Sequence, residues 1–260
     1  MASFYLFATH IWKILLHPLF VYSINYYIMK PTSRFRGPSL ILLGIVHILI
    51  FAANLVAAAA LRHGAPYVNP FAAADVVRAF FAQNPWAVRV SSFFLFASAV
   101  PLGLFAVTMV SRLRFLGVRA TGTNIALFGG LTAANALIVS GLAGWILSLP
   151  DVVVSAPVVK AIYFVSFLSG GVAYAVGFGL FAAGVSVTSY FYRLLPGWLA
   201  AFGMVVAVAG EFASLSLVAY PANFLIPITR YLGFIWLLLA AVKLMHGRRP
   251  EQALNTEATR

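Results

Sequence analysis

Glu211 is the residue whose position most directly suggests chemistry, because it lies inside the apolar stretch from Trp198 to Val218. An acidic side chain in the middle of a bilayer costs roughly 2.5 to 3.5 kcal/mol on insertion scales, so it usually faces the protein interior and a polar partner. We expect no Lys or Arg at its depth, which favours a protonated carboxyl group hydrogen-bonded to an amide. Such a group could bind a cation, a proton or a polar headgroup.

Other polar residues fall near the same depth when a helical rise of about 1.5 Å per residue is assumed. Glu211 lies about 20 Å from the cytoplasmic start of its helix on this measure. The residues at a similar level are Asn54, Asn135, Ser98 and Ser169. The sequence therefore predicts a polar layer in the outer half of the bundle, and one hypothesis is that this layer forms a small outward-opening ligand site. The alternative is that these groups only hydrogen-bond one another between helices, each bond contributing about 0.6 kcal/mol.

Small residues recur every four positions in the fourth long apolar run, at Gly171, Ala175, Gly179 and Ala183. One stripe of small side chains lets two membrane helices approach closely, so we interpret it as a packing face. Glycines can also act as a hinge, which would make the same stripe a moving gate.

Histidines raise the question of haem, because bis-His ligation needs one His on each of two helices at matching depth. His17 and His47 could form such a pair if the first apolar segment crosses the membrane. A single membrane His is more often a hydrogen-bonded structural residue, so we predict no cofactor and no metal. The chain has no cysteine, which excludes thiolate metal sites and Cys nucleophiles. It also has no HExxH, GxSxG or P-loop motif, so we expect no enzyme activity.

The elements that must position these residues are membrane helices. The 260-residue chain is 63% hydrophobic and only 8% charged, and its mean hydropathy is +0.98. These values lie outside those of soluble domains. The net charge of +12 is spread between apolar runs, where Lys and Arg orient helices and contact anionic lipids. We therefore predict membrane lipids as partners and no nucleic-acid binding.

Six apolar runs reach the roughly 20 residues that a membrane span needs. They are Leu40–Leu61, Val90–Val110, Asn124–Leu149, Val159–Tyr190, Trp198–Val218 and Phe224–Met245. The predicted fold is an all-α transmembrane bundle with these six core helices in residues 34–245. The fourth run is too long for a straight crossing, so it should tilt, kink near its glycines or project from the bilayer.

The N-terminal segment from Phe4 to Met29 is aromatic enough to span or to lie in the interface, and we favour a seventh span followed by a basic linker up to residue 33. Basic residues set the orientation, since they are retained on the cytoplasmic side. Ten lie on one side, at Lys30, Arg34, Arg36, Arg112, Arg114, Arg119, Arg193, Lys243, Arg248 and Arg249, and five on the other, at Arg62, Arg78, Arg89, Lys160 and Arg230. The polar tail, residues 246–260, is therefore predicted to be cytoplasmic and disordered, in a bacterial inner membrane.

The longest loop, from Arg62 to Arg89, is consequently external. Residues 70–84 are predicted to form a short amphipathic helix, with Asn69 as its N-cap and Pro70 at the first helical position. The helix would lie on the outer membrane surface. A lid over an outward-facing pocket is the alternative.

The order of these parts resembles a known family. Its elements are the basic RGPS entry to the first core helix, the QNPWAVRVSSFFL end of the external helix, the LPGWLAAFG entry to the fifth helix and the closing TRYLGFIWLLLAAVKL. Together they resemble the bacterial six-helix integral membrane family catalogued as domain of unknown function 4386. The resemblance covers about Arg34 to Lys243. It implies a six-helix membrane fold and no established activity.

Two functions are compatible with these features. The scarcity of acid and base groups favours a non-catalytic accessory or scaffold subunit that packs against other integral membrane subunits. The alternative is a small carrier or binder of lipid-like or cationic ligands that uses the buried Glu211 carboxylate. A cavity that meets Glu211 would favour the carrier, and a closed bundle would favour the scaffold.

Overall fold

A computed structural model describes residues 35, 37–62 and 66–246. Within these ranges the chain forms the α-helices α1 (Leu40–Ala60), α2 (Ala74–Gln83), α3 (Pro85–Phe115), α4 (Gly122–Ile146), α5 (Ala156–Leu168), α6 (Tyr174–Phe191), α7 (Gly197–Phe212) and α8 (Leu225–His246). A π-helix, Ser169–Ala173, joins α5 to α6, and two 3₁₀ turns, Ala213–Leu217 and Tyr220–Phe224, join α7 to α8. The predicted seventh helix and C-terminal tail lie outside the described residues.

Six stretches of this part of the chain are long and apolar enough to cross a membrane: Leu40–Ala60, Pro85–Phe115, Gly122–Ile146, Ala156–Phe191, Gly197–Leu217 and Tyr220–Met245. Their order and number confirm the predicted all-α polytopic bundle with six core helices. Most boundaries differ from the predicted ones by only a few residues. The irregularity expected near the glycines of the fourth span takes the form of the π-helix.

The spans form a closed ring in which each contacts two main neighbours. The order around the ring is α1, α3, α4, α6, α7 and α8, and α8 returns to contact α1. The first and last core helices are therefore adjacent, although they are far apart in sequence. We call the end of the ring that carries α2 the α2 end, and the opposite end, with Arg112, Arg114, Arg119 and Arg193, the basic end.

Aromatic side chains fill the centre of the ring. The Trp236 ring lies 6.0 Å from Phe181 and 6.3 Å from Phe178, both edge to face, and all three side chains are fully buried. Gly203 makes room for this indole, because a Cβ at that position would lie 2.4 Å from Trp236 Nε1. Helices in lipid associate mainly through van der Waals packing, so this fit is a principal source of cohesion.

Two faces of α6 carry glycines at close helix crossings. On one face, a Cβ at Gly177 would lie 2.7 Å from the Ala133 amide nitrogen of α4. On the other face, a Cβ at Gly210 of α7 would lie 2.5 Å from the Ala175 carbonyl and 2.8 Å from Gly179 Cα. Backbones approach each other at both crossings because no side chain separates them.

The predicted small-residue stripe therefore divides between partners. Ala175 and Gly179 pack on α7, and Ala183 is partly buried against the central core. Gly171, within the π-helix, faces α8 instead, where a Cβ would lie 3.2 Å from Ile226 Cδ1.

At the basic end, Arg112 closes the last turn of α8. Its Nε donates to the Leu244 carbonyl at 2.9 Å and its Nη2 to the Met245 carbonyl at 3.0 Å, and the residue is buried. The final carbonyls of a helix have no partner inside the helix and carry partial negative charge. The guanidinium supplies both the donors and the charge that this helix end requires.

The predicted external helix exists, but its predicted start and its predicted N-cap were wrong. It begins at Ala74, and Asn69 does not cap it, because the Asn69 side chain accepts from the nearby Phe71 amide at 2.9 Å and forms a local turn with Pro70. Its apolar face also packs on protein. Val77 and Phe81 are fully buried in a cluster with Val159 and Tyr163 of α5.

Candidate functional site

The predicted layer around Glu211 is not assembled. Glu211 and Asn135 are both exposed on the outside of the bundle. Ser98 is buried and its hydroxyl donates to the Leu95 carbonyl of its own helix at 2.7 Å. Ser169 is partly buried in the π-helix. The expectation that Glu211 faces an enclosed polar interior was therefore wrong.

His47 has a structural environment. It is fully buried, its Nδ1 donates to the Ser98 carbonyl at 2.8 Å, and its ring meets Phe234 edge to face at 5.4 Å. This bond connects α1 to α3. The other proposed haem ligand, His17, lies outside the described residues, so the haem hypothesis stays a prediction.

A cavity of about 400 Å³ lies in the α2 half of the bundle. Its polar lining consists of Asn54, Tyr67, Ser140, Tyr163, Ser166 and Arg230, and its apolar lining includes Phe51, Leu55, Leu95, Phe167 and Ile226. Asn54 lies six residues before the end of α1 and Arg230 five residues after the start of α8, or about 8 to 9 Å into these helices. Of the five predicted ligand residues, only Asn54 lines it.

Arg230 is the charged group of this cavity. Its guanidinium carbon lies 4.6 Å from the centre of the Tyr174 ring and 5.0 Å from that of Phe51, and its Nη2 donates to the Gly170 carbonyl. The Nε is buried and has no hydrogen-bond acceptor in the described part of the chain. An Arg at membrane depth costs roughly 2.5 to 3.5 kcal/mol on insertion scales. Cation–π contacts recover about 0.5 to 2 kcal/mol each.

The π-helix makes the carbonyl acceptor available. A π turn loosens the regular helical hydrogen-bond pattern, and such turns occur frequently at functional sites. Here the turn contains Gly170 and Gly171, and a Cβ at Gly170 would lie 2.4 Å from Ser140 Oγ. Glycine at 170 therefore permits the close contact with α4, and its backbone carbonyl accepts a hydrogen bond from Arg230 of α8.

A reciprocal pair of serines closes the wall between α4 and α5. Ser140 Oγ donates to the Ser166 carbonyl at 2.8 Å, and Ser166 Oγ donates to the Ser140 carbonyl at 3.0 Å. Both residues line the cavity. The pair fixes the distance between these helices beside the π-helix.

Residues 66–73 cover the α2 side of the cavity, to which Tyr67, Val68 and Pro70 contribute. Tyr163 donates to the Val68 carbonyl at 2.6 Å, and Lys160 donates to the Ala72 carbonyl at 2.9 Å. These contacts hold the segment before α2 against α5, and the predicted alternative of a lid over an outward-facing pocket stays a prediction.

A larger groove of about 600 Å³ lies between α3 and α4 and is almost wholly apolar, with lining residues that include Trp86, Phe93, Phe96 and Trp145. Its one charged lining residue, Arg89, donates to the Ser148 hydroxyl at 3.1 Å and to the Ser148 carbonyl at 3.3 Å. A surface groove of this composition suits lipid acyl chains and offers no converging polar groups.

Sequence reasoning missed Arg230 because it assigned this residue to an external loop when the basic residues were counted. The sequence did contain a signal for this residue, because Arg230 falls inside the sixth apolar run. An ionisable residue within a span marks a functional site by default. The same rule selected Glu211, whose direction around its helix the sequence does not reveal.

Fold and cavity together define the class: a multi-pass α-helical membrane protein with a partly polar cavity around a partly buried arginine. The chain matches no family model, no curated protein and no solved structure. The resemblance to the six-helix family of unknown function accordingly stays a prediction.

Proposed function

We propose that this protein is a non-catalytic binder or carrier of a small lipid-like ligand, which it holds in the Arg230 cavity within a bacterial inner membrane. The observation that carries the proposal is the combination of a partly buried arginine and an apolar wall around one cavity of about 400 Å³. That volume lies within the range of about 300 to 1,000 Å³ that is usual for small-molecule sites.

The cavity lining contains both polar and apolar surface. Arg230 and Asn54 offer polar contacts, and the Asn54 amide makes no hydrogen bond to other residues in the described ranges. Phe51, Leu95 and Phe167 provide apolar contact area. A ligand with a polar head and a short apolar chain satisfies both kinds of surface.

The lining also favours binding over reaction. Among the residues the structure describes, no Asp, Glu, His or Cys lines the cavity. General acid–base and nucleophilic catalysis usually depend on such side chains. The proposal therefore keeps the carrier function but replaces the Glu211 carboxylate, which is exposed, with the Arg230 cation.

The accessory or scaffold subunit remains the second candidate. It is favoured by the fact that the serine pair and the bond from Arg230 to Gly170 are contacts within the chain, which would stabilise the bundle without any ligand. A scaffold would be insensitive to a side chain that fills the cavity.

Two asparagines provide a matched test. Asn54→Phe places a ring in the cavity, whereas Asn135→Phe places the same ring on the exposed outer face of α4. Each protein would be reconstituted in phosphatidylcholine nanodiscs, and the melting temperature would be followed during titration with decyl-chain probes of different head groups. A bound ligand raises the melting temperature by mass action.

We expect at least one probe to stabilise the unsubstituted protein and Asn135→Phe saturably, and to leave Asn54→Phe unaffected. If a probe saturably stabilised all three proteins, its binding site would lie outside the Arg230 cavity. The absence of stabilisation in all three would refute the binder and favour the scaffold.

A further inference from the structure

We propose that the head group recognised in this cavity is an oxyanion, a carboxylate or a phosphate, and that Arg230 binds it. The inference rests on the proposed binding function and specifies its ligand class. It reverses the charge that the position of Glu211 suggested.

The cavity contains a positive charge at Arg230. In the part of the chain that the structure describes, the ion pair that forms joins Asp75 to Arg78 on α2, and neither residue lines the cavity. Arginine remains protonated in proteins. No carboxylate of the described residues thus pairs with the Arg230 cation, and its field in a low-dielectric cavity favours an anion.

The Arg230 guanidinium is held in one orientation by its neighbours. The rings of Phe51 and Tyr174 hold the guanidinium at 5.0 and 4.6 Å, and the Gly170 carbonyl fixes one end through Nη2. The buried Nε has no acceptor among the described residues. A guanidinium has five N–H donors in a planar fork, which matches the paired oxygens of carboxylate and phosphate. A fork that is already oriented loses little conformational entropy on binding.

The apolar walls of the cavity restrict the size and source of the anion. The cavity is mostly apolar beyond Arg230 and Asn54, with Phe51, Leu55 and Phe167 among its walls. A free inorganic anion would leave these walls without a partner. The cavity therefore selects an oxyanion that carries an apolar chain, such as a fatty acid or a lipid phosphate, over a water-soluble anion.

The experiment compares six probes on the reconstituted protein in phosphatidylcholine nanodiscs at pH 8. Decanoate and decyl phosphate carry the proposed head groups, and decanol and decyltrimethylammonium share the chain without the negative charge. Acetate and inorganic phosphate have the anion without the chain. Partitioning into protein-free nanodiscs would be measured for each probe, so that affinities are expressed per amount of probe in the membrane.

We expect decanoate and decyl phosphate to bind about tenfold or more tightly than decanol, because hydrogen bonds to charged groups are the strong ones. Decyltrimethylammonium should bind least, and acetate and inorganic phosphate should bind weakly. Strong binding of the short anions would assign the site to a soluble ligand and overturn the lipid-like source.

Arg230→Gln should remove the preference for the anions, and Arg230→Lys should retain part of it, since the ammonium keeps the charge without the fork. If Arg230→Gln does not fold, the comparison on the unsubstituted protein and Arg230→Lys still decides the question. Equal binding of decanol and decanoate by the unsubstituted protein would overturn the anion inference and leave the binder intact. A failure of every probe to bind would instead refute the proposed function.

Discussion

Ser140 and Ser166 each donate a hydroxyl hydrogen to the other's backbone carbonyl, at 2.8 and 3.0 Å, and so join α4 to α5 at the wall of the cavity. Hydrogen bonds between membrane helices contribute about 0.6 kcal/mol on average and up to about 1.7 kcal/mol. The two bonds lie side by side, and loss of one hydroxyl lets the helices shift at the other.

The serine pair should therefore show coupling. We predict that Ser140→Ala and Ser166→Ala each lower the free energy of unfolding by about 0.5 to 1.5 kcal/mol, and that the double variant loses less than the sum. The free energies of unfolding of the two single variants and the double variant would be measured in mixed micelles, as a double-mutant cycle. Ser98→Ala is the control partner, because its hydroxyl bonds within its own helix and should add independently to Ser166→Ala. Strict additivity of the Ser140 and Ser166 variants would contradict the coupling.

The crossing of α6 and α7 should not accept a side chain at position 210. A Cβ there would lie 2.5 Å from the Ala175 carbonyl, and this backbone atom cannot move aside as a flexible side chain would. We predict that Gly210→Ala lowers the free energy of unfolding by about 1 to 3 kcal/mol, which is typical of overpacking.

The matched control for this change is Gly197→Ala at the start of α7, where an added Cβ would meet no atom within 4 Å. The melting temperature of Gly197→Ala should equal or exceed that of the unsubstituted protein. A loss in Gly197→Ala equal to that in Gly210→Ala would show that the helix, and not the crossing, is sensitive.

Arg112 should matter far more than its neighbour Arg114. Arg112 is buried and satisfies two carbonyls at the end of α8, whereas Arg114 is exposed and donates to Asn124 Oδ1 at 2.6 Å. We expect Arg112→Ala to cost about 2 to 4 kcal/mol of stability and Arg114→Ala less than about 0.5 kcal/mol. Thermal unfolding followed by size-exclusion chromatography would compare them. Equal losses of stability in the two variants would contradict the specific role of Arg112 as a cap of α8.

The predicted orientation can be tested directly, because the chain has no cysteine of its own. Gln83, on α2, and Thr121, at the basic end, are both exposed. The excess of basic residues on one side predicts that Thr121→Cys faces the cytoplasm and Gln83→Cys the outside. In intact cells a membrane-impermeant maleimide should label only Gln83→Cys, and after lysis it should label both. The reverse pattern would invert the topology.

Helix number and span positions followed from hydropathy because a membrane segment must be about 20 apolar residues long and must satisfy its own backbone. The direction in which each polar side chain points could not be predicted from hydropathy. Glu211 and Asn54 were predicted to share one polar layer, yet Glu211 is exposed and Asn54 lines the cavity. Rotation about a helix axis is set by packing, and the outer and inner faces of these spans are similarly apolar.

The π-helix explains a second difference. The four-residue spacing of Gly171, Ala175 and Gly179 predicts a single face only if the helix is regular throughout. The wider turn at Ser169–Ala173 precedes most of the stripe and changes its phase, so Gly171 meets α8 while Gly179 meets α7. No sequence motif predicted this turn, apart from the adjacent pair Gly170 and Gly171.

Adjacency of the first and last core helices has a consequence for biosynthesis. Asn54 and Phe51 of α1 enter the bilayer early, but the wall that carries Arg230 is synthesised last. When α8 leaves the translocon, the Gly170 carbonyl and the rings of Phe51 and Tyr174 are already in the membrane to receive its charge. Arg230, a costly side chain in a membrane, therefore enters the bilayer only after the groups that contact it are in place.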